Sequence, residues 1–181
     1  MTTAPGTEAA DTAADTATAQ PRERTFSWDD PVAIARAGAG LSGIEFLTAI
    51  TEGKIPPPPL MRTLDFDGSS FSEGRAVFRL TPREFHYNPL GTVHGGVFAT
   101  LLDSAAGCAV HSTLPAGVGY TSVDLNVKFL RGMTTDTGRV TCEGRVVHGG
   151  RRMVLAEATL TDGSGRLLAT ATSSCLVFDL A

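Results

Sequence analysis

The spacing of hydrophobic positions along the chain changes near residue 60. Before it, Ile44, Phe46, Leu47 and Ile50 recur at helical spacing, with Ser42 ahead of them as an N-cap and Gly53 behind them as a stop, which predicts a short amphipathic helix. Ile55-Pro56-Pro57-Pro58-Pro59-Leu60 follows and predicts an extended, rigid spacer, because proline fixes φ and has no N–H with which to continue a helix. Beyond it the apolar positions alternate. Ala76, Phe78 and Leu80 alternate with Arg75 and Arg79; Val123, Leu125, Val127 and Phe129 alternate with Ser122, Asp124, Asn126 and Lys128, so each run reads as a strand with its apolar face in a core. Further long runs at 138–147, 151–161 and 166–178 are separated by His148-Gly149-Gly150 and Asp162-Gly163-Ser164-Gly165, both hairpin turn chemistry. The C-terminal half is therefore expected to be an antiparallel meander of three or four strands.

Between the strands lies a different pattern. Residues 95–111 carry two adjacent stripes, Val97, Leu101, Ala105 and Ala109 beside Phe98, Leu102, Ala106 and Val110, and so predict a helix that must be wrapped on most sides. A long, curved sheet is the natural wrapper, giving a helix-on-sheet α+β layer. One charged side chain, Asp103, interrupts the apolar surface from Gly95 to Val110. A carboxylate in such a place costs free energy unless it is hydrogen-bonded, paired or open to a cleft. It either serves a site or lies at a solvent or subunit boundary, bonded to Ser104 or a backbone group.

Composition narrows the classes. The 181 residues suit one domain with some extra length. Residues 1–24, rich in Ala, Thr, Asp and Pro, are expected to be a disordered tail; 25–59 a helix and proline-rich lead-in; 60–181 the folded domain. A net charge of −4 with scattered Lys and Arg offers no surface for a nucleic-acid backbone. Cys108, Cys142 and Cys175 fall in apolar segments without metal-ligand spacing, pointing to a reducing compartment, and His86, His94, His111 and His148 have no such spacing either. No apolar run is long enough to cross a membrane and no secretory leader is visible, so a cytoplasmic protein is expected. Neither a Walker nor a Rossmann glycine fingerprint occurs, nor the Gly-x-Ser-x-Gly of α/β-hydrolases; no cofactor or metal is implied.

The start of the apolar helix carries the remaining chemistry. Glycines there, Gly95 and Gly96, let a ligand approach free backbone amides bearing partial positive charge, or else serve a tight turn against a strand. Asn88-Pro-Leu-Gly91-Thr-Val-His94-Gly95-Gly96, Asp103 eight residues after Gly95, and Thr121-Ser122-Val123-Asp124-Leu-Asn126 together resemble the hotdog-fold acyl-CoA thioesterases of the phenylacetate-pathway, PaaI-like type, over roughly residues 42–178. That resemblance implies a curved antiparallel sheet wrapped around the central helix, and hydrolysis of an acyl-CoA or aryl-CoA to free acid and CoA. It implies Asp103 as nucleophile or general base and the Gly95 amide as oxyanion donor. Matching positions give Asn88 the orientation of water or thioester, His94 support of the loop or leaving group, and Ser122 a bond to the acid or to water. Each has a structural counterpart: turn, helix cap and strand start. The phosphates of CoA need cations, for which Arg151 and Arg152 are candidates, with Lys128 and Arg131 behind them; solvated hairpin arginines are the alternative. The resemblance also implies a homodimer, or a homotetramer built as a dimer of dimers, with sites shared between chains. Two rivals stand beside hydrolysis: a non-catalytic acyl-CoA binding module, and a hotdog enoyl-CoA hydratase, which the order of His94 before Asp103 disfavours. Packing around Leu60, Phe71 and Phe98 is expected to decide the depth of the acyl pocket.

Overall fold

Residues 21–180 are described by the computed structural model, and the elements within them run α1 (Pro31–Ala37), α2 (Gly43–Thr51), α3 (Pro59–Thr63), β1 (Phe66–Ser72), β2 (Arg75–Leu80), α4 (Gly95–His111), β3 (Val118–Phe129), β4 (Val140–Gly149), β5 (Met153–Thr161) and β6 (Leu167–Asp179). The tail expected at 1–24 lies outside the described residues except for its last four. Of these, Arg22 pairs with Glu84 and Arg24 is bonded to the end of α3.

Local signals account for the helices. Ser42 caps α2 through a reciprocal pair, the Glu45 N–H donating to Ser42 Oγ and the Ser42 N–H donating to Glu45 Oε2 at 2.8 Å. The helix ends at Glu52, and Gly53 follows with φ 71°. Two helices go beyond the expectation from hydrophobic spacing. α1 starts where Asp30 accepts from the Val32 N–H and Pro31 takes the first helical position; α3 starts on Pro59, the last of the proline run, because proline suits the first turn of a helix. Gly43 brings α2 onto the end of α4: its N–H donates to Leu114 O at 2.9 Å, and a Cβ there would overlap the His111 carbonyl.

All strand pairs are antiparallel, in the order β1-β2-β4-β5-β6-β3. The chain leaves the sheet after β2, next to the β1 edge, crosses one face as α4, and returns at the far edge as β3; β4, β5 and β6 then form the meander. α4 packs against β2 through β6. Leu101, Leu102, Ala105, Ala106, Ala109 and Val110 are fully buried. Each buried leucine contributes about 1.5–3 kcal/mol relative to exposure. The three alanines let the sheet approach closely. Gly144 of β4 sits against the backbone of Ala105, where a Cβ would overlap the carbonyl.

Candidate active site

The N-terminus of α4 is built locally. His94 is the N-cap, and its Nδ1 accepts from the Gly96 N–H at 2.8 Å, which assigns the ring proton to Nε2. The loop before it is tied down by Val93 N–H to Met133 O and His94 N–H to His86 O, at 2.9 and 2.8 Å. Asn88 closes the preceding turn: its Oδ1 accepts from the Leu90 and Thr92 N–H groups, and its Nδ2 donates to Thr92 Oγ1. Gly96 is thus satisfied by the cap. Among the described residues the Gly95 N–H has no acceptor, as expected for a first-turn amide that nothing caps. The rim of the Phe129 ring lies beside it, 3.4 Å from where a Cβ on Gly95 would stand.

The middle of α4 is built by tertiary contact. Asp103 is half-buried, and its Oδ1 accepts from Ser122 Oγ at 2.9 Å; among the described residues no donor meets Oδ2. Ser122 faces the helix because β3 contains a bulge: the register against β6 steps from Ser122↔Cys175 to Asp124↔Ser174, leaving Val123 over. Uniform alternation would have placed Ser122 on the opposite face from Leu125. With one extra residue both point inward, while Val123 and Phe129, expected in the core, are 53% and 56% exposed. Ser173 Oγ donates to the Asp124 carbonyl and Ser174 N–H to Asp124 Oδ1, at 2.8 and 2.9 Å, securing the distorted segment.

Asp103 borders two cavities. On the open side lies a cleft of about 390 Å³ with Thr100, Ser122 and Asp124. On the inner side lies an enclosed slot of about 180 Å³, walled by Cys108 and Tyr120 and roofed by α2 and α3. Burial pushes the Cys108 thiol up to about 12 and raises the Tyr120 phenol well above its usual value. Burial thus favours the neutral form of both groups. Gly95 and Asp103 stand eight residues apart on one helix, about 12 Å along its axis. Within one chain the free amide and the carboxylate do not converge on a single carbonyl group.

Residues 90–169 match the description Thioesterase superfamily. A Halobacterium salinarum protein named "Putative esterase" is 40% identical over 117 residues, spanning 62% of this chain and 76% of the relative. The chain belongs to the thioesterase superfamily. A second relative, the 1,4-dihydroxy-2-naphthoyl-CoA hydrolase of Listeria monocytogenes, is 27% identical over 109 residues, 60% of this chain and 87% of that one. Among solved structures, a phenylacetic acid degradation-related protein of Ralstonia eutropha has a TM-score of 0.65 at 26% identity, covering 71% of this chain and 97% of the other. The fold is the hotdog fold, its sheet wrapped on α4.

The four cations expected at a CoA subsite separate into two groups. Lys128 and Arg131 flank Phe129 at the Gly95 end, with Arg131 Nη1 donating to Leu167 O at 2.7 Å. Arg151 and Arg152 line a groove of about 780 Å³ with Thr113 and Asp179, beyond the other end of α4, and border neither Asp103 cavity. This groove is larger than the slot, and neither Asp103 nor Ser122 lines it. Leu60 and Phe71 do line the slot, whereas Phe98 is buried edge-on to Phe129 outside it. Tyr120 escaped the sequence reading, although it stands two residues before Ser122 and therefore on the same face of β3. Among the described residues no group of three or more His, Cys, Asp or Glu side chains is placed to hold a metal ion, and no helix is long and apolar enough to cross a membrane.

Proposed function

We propose that the protein hydrolyses an acyl-CoA or aryl-CoA thioester to the free acid and CoA, with Asp103 as the catalytic carboxylate. The observation that carries this reading is the carboxylate itself, held through Oδ1 by Ser122 with Oδ2 unengaged at the mouth of an apolar slot. The acyl group enters the slot and the thioester carbonyl rests at Asp103. By one route Oδ2 attacks the carbonyl carbon, the C–S bond breaks, CoA leaves as a thiolate that takes up a proton, and water cleaves the resulting anhydride. By the other, Oδ2 takes a proton from the attacking water and returns it to the departing sulfur. Single turnover in heavy-oxygen water separates them when water opens the anhydride at the aspartyl carbonyl, since that leaves label in Asp103, whereas the second route labels only the released acid.

The oxyanion that forms needs a donor, worth about 3–4 kcal/mol when well aimed. The Gly95 N–H is free but about 12 Å away along its own helix, so the donor at each site is Gly95 of a second copy. β3 is an edge strand with Val123 and Phe129 exposed, the kind of open edge that pairs with another chain. One subunit then brings Asp103 and Ser122, and the other Asn88, His94 and Gly95. Asn88 and His94 act by holding the loop that aims the Gly95 amide. Lys128 and Arg131, close in sequence to the Phe129 that packs beside Gly95, are the better placed cations for the CoA phosphates. Alanine at both is expected to raise KM for CoA esters without raising it for pantetheine esters.

The test is thiol release from a panel of CoA esters. Turnover of any ester, lost in Asp103→Asn, supports the reading; tight binding without turnover means a binding module. Co-refolding equal amounts of Asn88→Ala and Asp103→Asn chains tests the shared site. Random pairing gives about half heterodimers, each with one intact site, restoring roughly a quarter of wild-type activity. Heterodimers no more active than the mean of the parents would overturn the two-chain arrangement.

A further inference from the structure

The two walls of the slot have different origins. Asp103, Cys108 and Tyr120 lie in the stretch matching the superfamily, residues 90–169, whereas α2, α3, β1 and β2 precede it. Chemistry and acyl selectivity are therefore written in different parts of the chain. Resting on the hydrolysis reading above, we propose that α3 is the lid that sets acyl size, with Leu60 and Met61 as its specificity-determining side chains and Arg24 as the positioning residue that latches it.

α3 is five residues long and has no side-chain cap, too short to be stable by itself. Its entry is stiffened by Pro56–Pro59. Its exit is held by Arg24, whose Nη1 donates to Thr63 O at 2.5 Å and Nη2 to Arg62 O at 2.7 Å, the latter carbonyl also accepting from the Asp65 N–H. The guanidinium is itself fixed between two rings, 4.0 Å from the Phe85 centroid and 4.8 Å from that of Phe26. Beyond the helix, buried His86 donates through Nε2 to Leu64 O at 2.9 Å. Leu60 is half exposed, so the lid is one side chain thick, and moving it is the way to lengthen the slot. An apolar cavity of about 150 Å³ takes a benzene-sized ligand, so a slot of about 180 Å³ takes a group of roughly six carbons. A hexanoyl-sized group fits, and a dodecanoyl group has to displace α3.

The experiment compares straight-chain CoA esters from acetyl to dodecanoyl. Wild type is expected to favour hexanoyl over dodecanoyl. Met61→Ala and Leu60→Ala should raise the dodecanoyl-to-hexanoyl ratio of kcat/KM about tenfold or more, and Met61→Trp should depress hexanoyl turnover while sparing acetyl, which does not reach α3. Arg24→Ala should raise KM for hexanoyl-CoA and leave acetyl-CoA kinetics unchanged; Arg24→Lys should restore little, since it lacks the planar fork. Loss of acetyl turnover in step with hexanoyl, or an unchanged chain-length profile in all variants, would overturn the proposal. A second readout needs no turnover. Trp28, the single tryptophan, lies tilted at 41° to Phe26 with ring centroids 5.8 Å apart, and Phe26 lies under Arg24, so its fluorescence follows the latch during titration with hexanoic and dodecanoic acids. If no ester is cleaved but acid binding shows the same order and the same shifts, the lid stands and the hydrolysis reading falls. If esters are cleaved with an unshifted profile, hydrolysis stands and the lid falls.

Discussion

At the start of α4 the side-chain hydrogen bonds come from neighbours in sequence: His94 caps Gly96, and Asn88 closes on Leu90 and Thr92. At the middle of the same helix, Asp103 depends on Ser122, 19 residues away on a strand that is bulged to present it. The first region offers a backbone donor and the second a side-chain acceptor. The difference teaches where each is vulnerable. A backbone amide survives most substitutions and yields only to loss of its hydrogen, whereas the carboxylate is sensitive both to its own replacement and to the register of β3.

The sharpest way to break this comparison is at Asp103. Asp103→Asn is nearly isosteric but neither nucleophilic nor basic, so kcat is expected to fall on the order of a thousandfold while ester binding persists. Near wild-type turnover would remove Asp103 from the chemistry.

Gly95 tests the other region. Proline is well tolerated at the first position of a helix, so Gly95→Pro should fold, remove the amide hydrogen, and lower kcat by about a hundredfold to a thousandfold. Gly95→Ala keeps the hydrogen and meets only ordinary contact with Phe129, so its kcat should stay close to wild type. The opposite pattern would mean that close packing, not hydrogen bonding, is what Gly95 provides.

Ser122→Ala should have a smaller effect, about a tenfold loss in kcat with KM little changed, because a hydrogen bond to a charged group is worth about 1.5–3 kcal/mol and solvent in the open cleft can replace part of it. A loss as large as that of Asp103→Asn would make Ser122 a direct participant.

The smallest expected effect is on stability and lies outside both regions. Burial lowers the pKa of His86 and of His111, so both are neutral in the folded protein. Below the ordinary histidine value of about 6.5, the unfolded chain takes up protons that the folded chain does not. Stability is therefore complete above that value, declines as pH falls through it, and levels off beneath the lowered folded values. Tm measured from pH about 7.5 down to about 5 should show this slope, and His86→Gln should flatten it. An unchanged slope in that variant would assign the pH dependence to other groups.

Much of the fold was legible in the chain because its signals are local. The α4 stripes and the Ser42 cap led to α4 and α2, and the glycine turns led to the β4–β5–β6 meander; each signal lies within a few residues of what it specifies. The same holds for Asp103, which stood out as the charge on an otherwise uncharged helix. What the chain did not disclose required through-space information. A bulge leaves no mark in an alternating sequence, since Val123 reads as a core position until its neighbour across the sheet is known. The slot is assembled from α2, α3, β1, β2, α4 and β3, and its shape depends on how α3 is held by Arg24, 39 residues before Thr63. The separation of Arg151 and Arg152 from Lys128 and Arg131 likewise follows from strand order, not from spacing. Local propensity and hydrophobic period therefore determined the elements and picked out the acid, while the register of β3, the depth of the slot and the grouping of charges were decided by packing, because those depend on which distant side chains share the same space.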